Sequence, residues 1–230
     1  MAVRDNRGQT PVVPTCGVST ETIPCHLVGA TRCRGYRRRV SRKPRLQIPD
    51  VVYHVGSRGV EKRQIFDVIR GDRDVFLEFL EITVRRHRWL CHAYCLMGNH
   101  FHLAVETPEA NLADGMRYLK SRYAIWFNQQ NDRGGALFER RYFDELVDNE
   151  AHAYELARYI ILNPVRAKLC VHPRDWRWSS YRAAVGAVKP PPFLYLDGLR
   201  DLFGDGPRGL VRYERFVEDG IALQELRPAA

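Results

Sequence analysis

Two apolar runs, residues 89–97 and 100–106, are separated by nothing but Gly98-Asn99. Run, tight turn and second run are the signature of a β-hairpin, although Asn-Gly is the more usual order in such turns. Successive side chains of a strand point to opposite faces, so His100 and His102 share one face while Phe101 projects from the other into a core. Two imidazoles side by side form half a metal site. They are equally two partly buried histidines at a strand end, because two ligands do not complete a site. The choice turns on whether the chain supplies a third ligand and a nucleophile.

The flanking segments limit what the hairpin can join. Residues 51–55 (Val-Val-Tyr-His-Val) form a β-branched and aromatic run closed by Gly56-Ser57-Arg58-Gly59, which predicts a strand. Helical spacing of Val75, Phe76, Phe79, Leu80 and Ile82 predicts a helix over 72–88, with Asp72 placed to cap its start. A second helix over 112–128 stops before Asn131-Asp132-Arg133-Gly134-Gly135, and residues 137–147 alternate well enough for a strand. Asn149 is placed to cap a helix over 150–162, which is expected to end near Asn163-Pro164 because the residue before a proline avoids the α region. Strand, helix, strand, strand, helix, strand, helix is the order of an α+β fold: an antiparallel sheet with packed helices, in the ferredoxin-like or RNA-recognition-like manner. That domain is assigned to residues 46–185. After Lys189-Pro190-Pro191-Pro192, residues 186–230 read as a helical extension with two short amphipathic helices. Trp176, Trp178 and Tyr181 read as anchors for it.

Charge suggests the partner. The chain of 230 residues carries a formal charge of +9, which attracts polyanions, and nucleic acid is the commonest of these. Residues 1–45 lack periodicity and read as a basic, disordered arm; Arg37, Arg38 and Arg39 lie in a run from 32 to 45 without one acidic residue. Such a block is either a solvated tail or a phosphate-contacting arm. The six cysteines form neither a disulfide framework nor a common zinc knuckle, and Cys91 and Cys95 read as buried thiols. No segment approaches the ~20 apolar residues of a membrane span, and a cytoplasmic, nucleoid-associated protein is expected.

On the helix over 150–162, Ala153, Ala157, Ile160 and Ile161 form the buried stripe, and Tyr159 and Asn163 lie together at its margin, one turn apart. A phenol and an amide there are positioned for chemistry near a sheet edge; equally, Tyr159 covers the core and Asn163 merely ends the helix. Tyr123, beside Lys120 and Arg122, is the second candidate nucleophile, but lacks an amide one turn later.

Five blocks in order carry a family resemblance: residues 45–59, 96–103 (Leu-Met-Gly-Asn-His-Phe-His-Leu), 135–143, 159–167 (Tyr-Ile-Ile-Leu-Asn-Pro-Val-Arg-Ala) and 178–182 (Trp-Ser-Ser-Tyr-Arg). Together they resemble the REP-associated tyrosine transposases, members of the HUH single-tyrosine nucleases, in which histidine, bulky hydrophobic and histidine form the signature. The resemblance implies that His100, His102 and Asn163 hold one Mg²⁺ or Mn²⁺ and that Tyr159 is the nucleophile. It implies cleavage and rejoining of single-stranded or hairpin DNA through a 5′-phosphotyrosine, with Arg58, Arg140 and Arg141 as phosphate contacts. A monomer is favoured over a homodimer. The alternative is a domesticated protein that binds DNA hairpins without cutting them.

Overall fold

The computed structural model describes residues 47–225. Four strands, β1 (Val51–Arg58), β2 (Leu90–Leu96), β3 (His100–Thr107) and β4 (Phe143–Leu146), pair antiparallel in the order β2-β3-β1-β4. Helix α1 (Asp72–His87) joins β1 to β2, and α2 (Leu112–Gln130) joins β3 to β4. The result is the expected ferredoxin-like βαββαβ sheet.

Alternation along the strands divides the interior in two. Tyr53, Val55, Phe101, Leu103 and Val105 meet Phe76 and Leu80 of α1 and Met116, Leu119 and Tyr123 of α2. From the other face Ala93, Cys95 and Ala104 meet Leu156, Ile160 and Ile161 of α3 (Glu150–Arg166). Small residues on this side let α3 approach the strands closely.

The hairpin forms as its pattern predicts, with Met97 N–H donating to the His100 carbonyl at 2.9 Å across Gly98-Asn99. Neither turn residue has a positive φ, so the preference for Asn-Gly does not apply. A Cβ at Gly98 would lie 2.2 Å from Oε1 at the end of the exposed Gln64 side chain, which would have to swing aside, and the Gly98 carbonyl accepts from Ile65 N–H and Phe66 N–H at 3.0 and 2.9 Å.

Three expectations for this domain need correction. Helix α3 does not end near Asn163 but runs through Pro164 to Arg166. The proline removes the N–H that Ile160 O would accept; the Asn163 amide lies 3.5 Å from that carbonyl and donates to Tyr159 O at 2.9 Å, so a side chain covers the gap. Asp72 is the first helical residue, not the cap, and accepts from Val68 and Ile69 N–H at 3.0 and 3.2 Å, closing the preceding loop. The strand over 137–147 shrinks to β4, because Leu137 and Tyr142 turn into the core and only a Gly59–Phe138 bridge continues the ladder. Asn149 does cap α3, accepting from His152 N–H at 2.8 Å.

The C-terminal region begins with a short helix, α4 (Tyr181–Ala184). Beyond it lie one short helix, α5 (Asp197–Phe203), and one long one, α6 (Gly206–Glu225), rather than two short ones. Helix α6 packs along α3 so tightly that a Cβ at Gly220 would lie 2.5 Å from Arg158 Cδ. Residues 178–180 close the outer edge of β2: Leu96 N–H donates to Trp178 O at 2.9 Å and Ser180 N–H to Tyr94 O at 3.0 Å. Trp176 Nε1–H donates to Leu96 O, and the Arg73 guanidinium lies 5.3 and 5.2 Å from the Trp176 and Trp178 rings, so these aromatics act as anchors. No helix among the described residues is long and apolar enough to cross a membrane.

Candidate active site

Strand β3 presents His100 and His102 on the α3 side of the sheet, their ring centroids 5.1 Å apart and nearly perpendicular. Phe101 between them is fully buried on the other side. Register places Arg58 opposite His100 and Gly56 opposite His102. A Cβ at Gly56 would lie 2.3 Å from Phe101 O and 2.6 Å from the Phe143 ring, so glycine here is what admits that ring beside His102. Burial, followed by the Arg58 charge, lowers the His100 pKa to about 4. Burial is again the largest cause for His102, lowered to about 2, with His54, His100 and Arg58 adding to it. Both rings are neutral at physiological pH, the form in which imidazole binds metals.

A hydrogen-bond chain fixes the His100 tautomer. Asn99 Nδ2–H donates to Lys62 O at 2.9 Å, which leaves Asn99 Oδ1 to accept from His100 Nδ1–H at 2.6 Å. The lone pair of His100 is therefore on Nε2.

Helix α3 brings Tyr159 against His102, with its ring centroid 5.6 Å from that of His102 and the residue 37% exposed. The Arg166 guanidinium, two turns on, lies 4.7 Å from the phenol ring. Asn163 directs its amide Nδ2 back at the helix, so Oδ1 is the atom left to face a ligand. Among the described residues no three His, Cys, Asp or Glu side chains are grouped to hold a metal. Two neutral imidazoles are donors whose chemistry suits a divalent ion such as Mn²⁺, which accepts nitrogen more readily than Mg²⁺ does, while the hydrogen bonds of the Asn163 amide run to its own helix.

A third histidine escaped the sequence reading. His54 of β1 is 6% exposed, its Nε2 lies 2.9 Å from His102 Nδ1, and its ring centroid is 5.5 Å from that of Tyr159. The signal was available in part. If Tyr53 and Val55 face the core, His54, Gly56 and Arg58 face the other way, but pairing of β1 with β3 cannot be read from one strand alone.

The remaining candidates lie elsewhere. Tyr123 is fully buried on the α1/α2 side, donates to Ile65 O at 2.5 Å, and has its pKa pushed up by burial. Arg140 and Arg141 are exposed, and Arg141 lines a cleft of about 510 Å³ with Gln47, Arg117 and Lys120 on the α2 side. Only Arg58 of the three candidate phosphate contacts adjoins the histidines. Arg37, Arg38 and Arg39 lie outside the described residues. Cys91 and Cys95 are free and buried, and burial raises the Cys91 thiol to about 12.

The family model described as "Transposase IS200 like" matches residues 47–163, just over half the chain, from the approach to β1 through Asn163. The chain belongs to the IS200-like transposase family. A curated Haemophilus influenzae protein named "Putative REP-associated tyrosine transposase" is 27% identical to this family member over 106 residues, 41% of this chain. The chain spans 60% of that relative's length. A solved structure described as a REP-associated tyrosine transposase bound to a REP hairpin superposes with a TM-score of 0.54 at 15% identity, covering 67% of this chain and 90% of the other. That likeness shows a shared fold. The stretch of this chain matched by the family model contains His54, both β3 histidines, Tyr159 and Asn163.

Proposed function

We propose that this transposase cleaves and rejoins single-stranded, hairpin-containing DNA through a 5′-phosphotyrosine on Tyr159, with Mg²⁺ or Mn²⁺ held by His100, His102 and Asn163. The observation that carries the reading is an exposed phenol packed edge-on against His102 and His54, with His100 beside His102 on the same strand face. The related proteins, one of them bound to a REP hairpin, support the substrate class. The phenol oxygen of Tyr159 attacks the scissile phosphorus and gives up its proton; the bond from phosphorus to O3′ breaks, and the departing 3′-oxygen takes a proton. A bound divalent ion supplies Lewis-acid polarisation of the phosphate and draws negative charge toward itself. Arg58, beside His100, is placed to attract the same phosphate. The phosphodiester energy is kept in the tyrosine ester, so a 3′-hydroxyl can reverse the step and join strands without a nucleotide cofactor. Basic residues along α2 and the arm residues Arg37, Arg38 and Arg39 are assigned to phosphate binding away from the scissile bond.

The test uses labelled single-stranded hairpin DNA with Mn²⁺ or Mg²⁺, resolved on a denaturing gel. A covalent adduct is expected with the native chain and none with Tyr159→Phe. Binding without an adduct under either metal would point instead to a hairpin-binding protein that does not cut. Undiminished cleavage by Tyr159→Phe would remove Tyr159 from the role.

A further inference from the structure

The His102 ring has one nitrogen engaged and one that must carry a lone pair if it is to hold a metal. Its Nδ1 lies 2.9 Å from His54 Nε2, a contact buried in the sheet, so one of the two nitrogens donates and the other accepts. Which one donates decides whether His102 can act as a ligand. Were His54 Nε2–H the donor, neutral His102 would carry its proton on Nε2 and offer no lone pair there.

The other side of the His54 ring resolves the choice. Register pairs His54 with Glu145 across β1 and β4, and a Glu145 carboxylate oxygen lies 3.6 Å from His54 Nδ1. An ionised carboxylate can only accept, so its charge favours the tautomer that turns Nδ1–H toward it. His54 Nε2 then has the lone pair, His102 Nδ1–H must donate to it, and the lone pair of His102 falls on Nε2. This is the tautomer that Asn99 imposes on His100 by a different route.

The rings are held as well as polarised. The His54 and His102 rings lie edge to edge, their centroids 5.1 Å apart and their planes within 26°, and Phe143 packs edge-on against His54 at 4.9 Å. The second Glu145 oxygen lies 3.8 Å from His152 Nε2, outside hydrogen-bond distance, and His152 Nδ1 lies 3.2 Å from Asp148 Oδ1.

We infer that Glu145 and His54 form a positioning relay that sets the tautomer and orientation of His102 and so prepares it as a metal ligand. The inference rests on the proposed metal role of His102, but its first test does not need a metal. Neither residue touches the phosphate or the nucleophilic oxygen in this role; both act through His102. Outer groups of this kind typically change metal affinity by about 10–100-fold when removed.

The experiment takes the full chain, ¹⁵N-labelled and metal-free at neutral pH, and reads the imidazole tautomers by long-range ¹H–¹⁵N correlation. His102 is expected in the Nδ1–H form in the native chain and redistributed toward Nε2–H in Glu145→Ala, a substitution at an exposed position compatible with folding. Titration with Mn²⁺ follows. His54→Phe keeps the ring packing and is expected to weaken binding about 10–100-fold, with adduct formation restored by excess Mn²⁺. An Nε2–H His102 in the native chain, or the same tautomers and the same Mn²⁺ affinity in both variants, overturns the relay. A native chain that binds no Mn²⁺, or whose His100→Ala variant binds it equally well, overturns the proposed metal site instead, while the metal-free spectra still decide the relay.

Discussion

The two faces of one sheet hold two tyrosines on two helices, with opposite fates. Tyr123 on α2 is sealed among Phe66, Phe76 and Phe101 and donates to a backbone carbonyl. Tyr159 on α3 sits at the margin of its face, half open to solvent, against His54 and His102. The strands differ in the same way: Phe101, Leu103 and Val105 look toward Tyr123, and His100 and His102 toward Tyr159. A period of two therefore separates a packing face from the face of the proposed chemistry, and neighbouring basic residues, which both tyrosines have, do not distinguish them.

The largest expected effects attack that division directly. Phe101→Ala should cost about 3–5 kcal/mol in denaturant unfolding, as truncation of a fully buried aromatic does. His100→Ala should abolish adduct formation while leaving most phosphate-driven DNA retention in a gel-shift assay. Gly56→Ala should cost about 1–3 kcal/mol and disturb the face of the proposed chemistry, because its Cβ must displace Phe143 or the Phe101 carbonyl. Smaller again, Tyr123→Phe should lower stability by about 1 kcal/mol through loss of one buried hydrogen bond, yet keep full adduct yield. A loss of adduct in Tyr123→Phe without unfolding would break the comparison.

Acid should also tell the faces apart. Burial lowers the pKa of His54, His92, His100 and His102, so the unfolded chain takes up protons before the folded one. Stability present above the ordinary histidine value of about 6.5 is therefore lost as pH falls from there toward about 4, the folded value for His100. Hydrogen exchange should show α3 losing protection in this window before α2 does. Equal loss on both helices would argue against a histidine cause.

The hairpin, the core role of Phe101 and the start of α3 were legible because each depends on a local pattern: a two-residue turn, alternation, an Asn cap. The end of α3 was not, since a proline stops a helix only when nothing replaces its missing hydrogen bond, and the Asn163 amide reaches back to do so. The short β4 was misread because Leu137 and Tyr142 leave the strand for the core. His54 and Glu145 were missed for a different reason. Their meeting with His102 depends on which strand lies beside which, and that information is spread over more than 90 residues.

The closure of β2 by residues 178–180, and by Tyr195 N–H on Cys91 O at 2.8 Å, bears on how the chain is made. The edge strand emerges from the ribosome some 80 residues before its cover does. During that interval its unpaired backbone groups can pair with any extended neighbour. Shortening the chain before residue 178 should therefore give a protein that clumps during synthesis, even though every residue matched by the family model is still present.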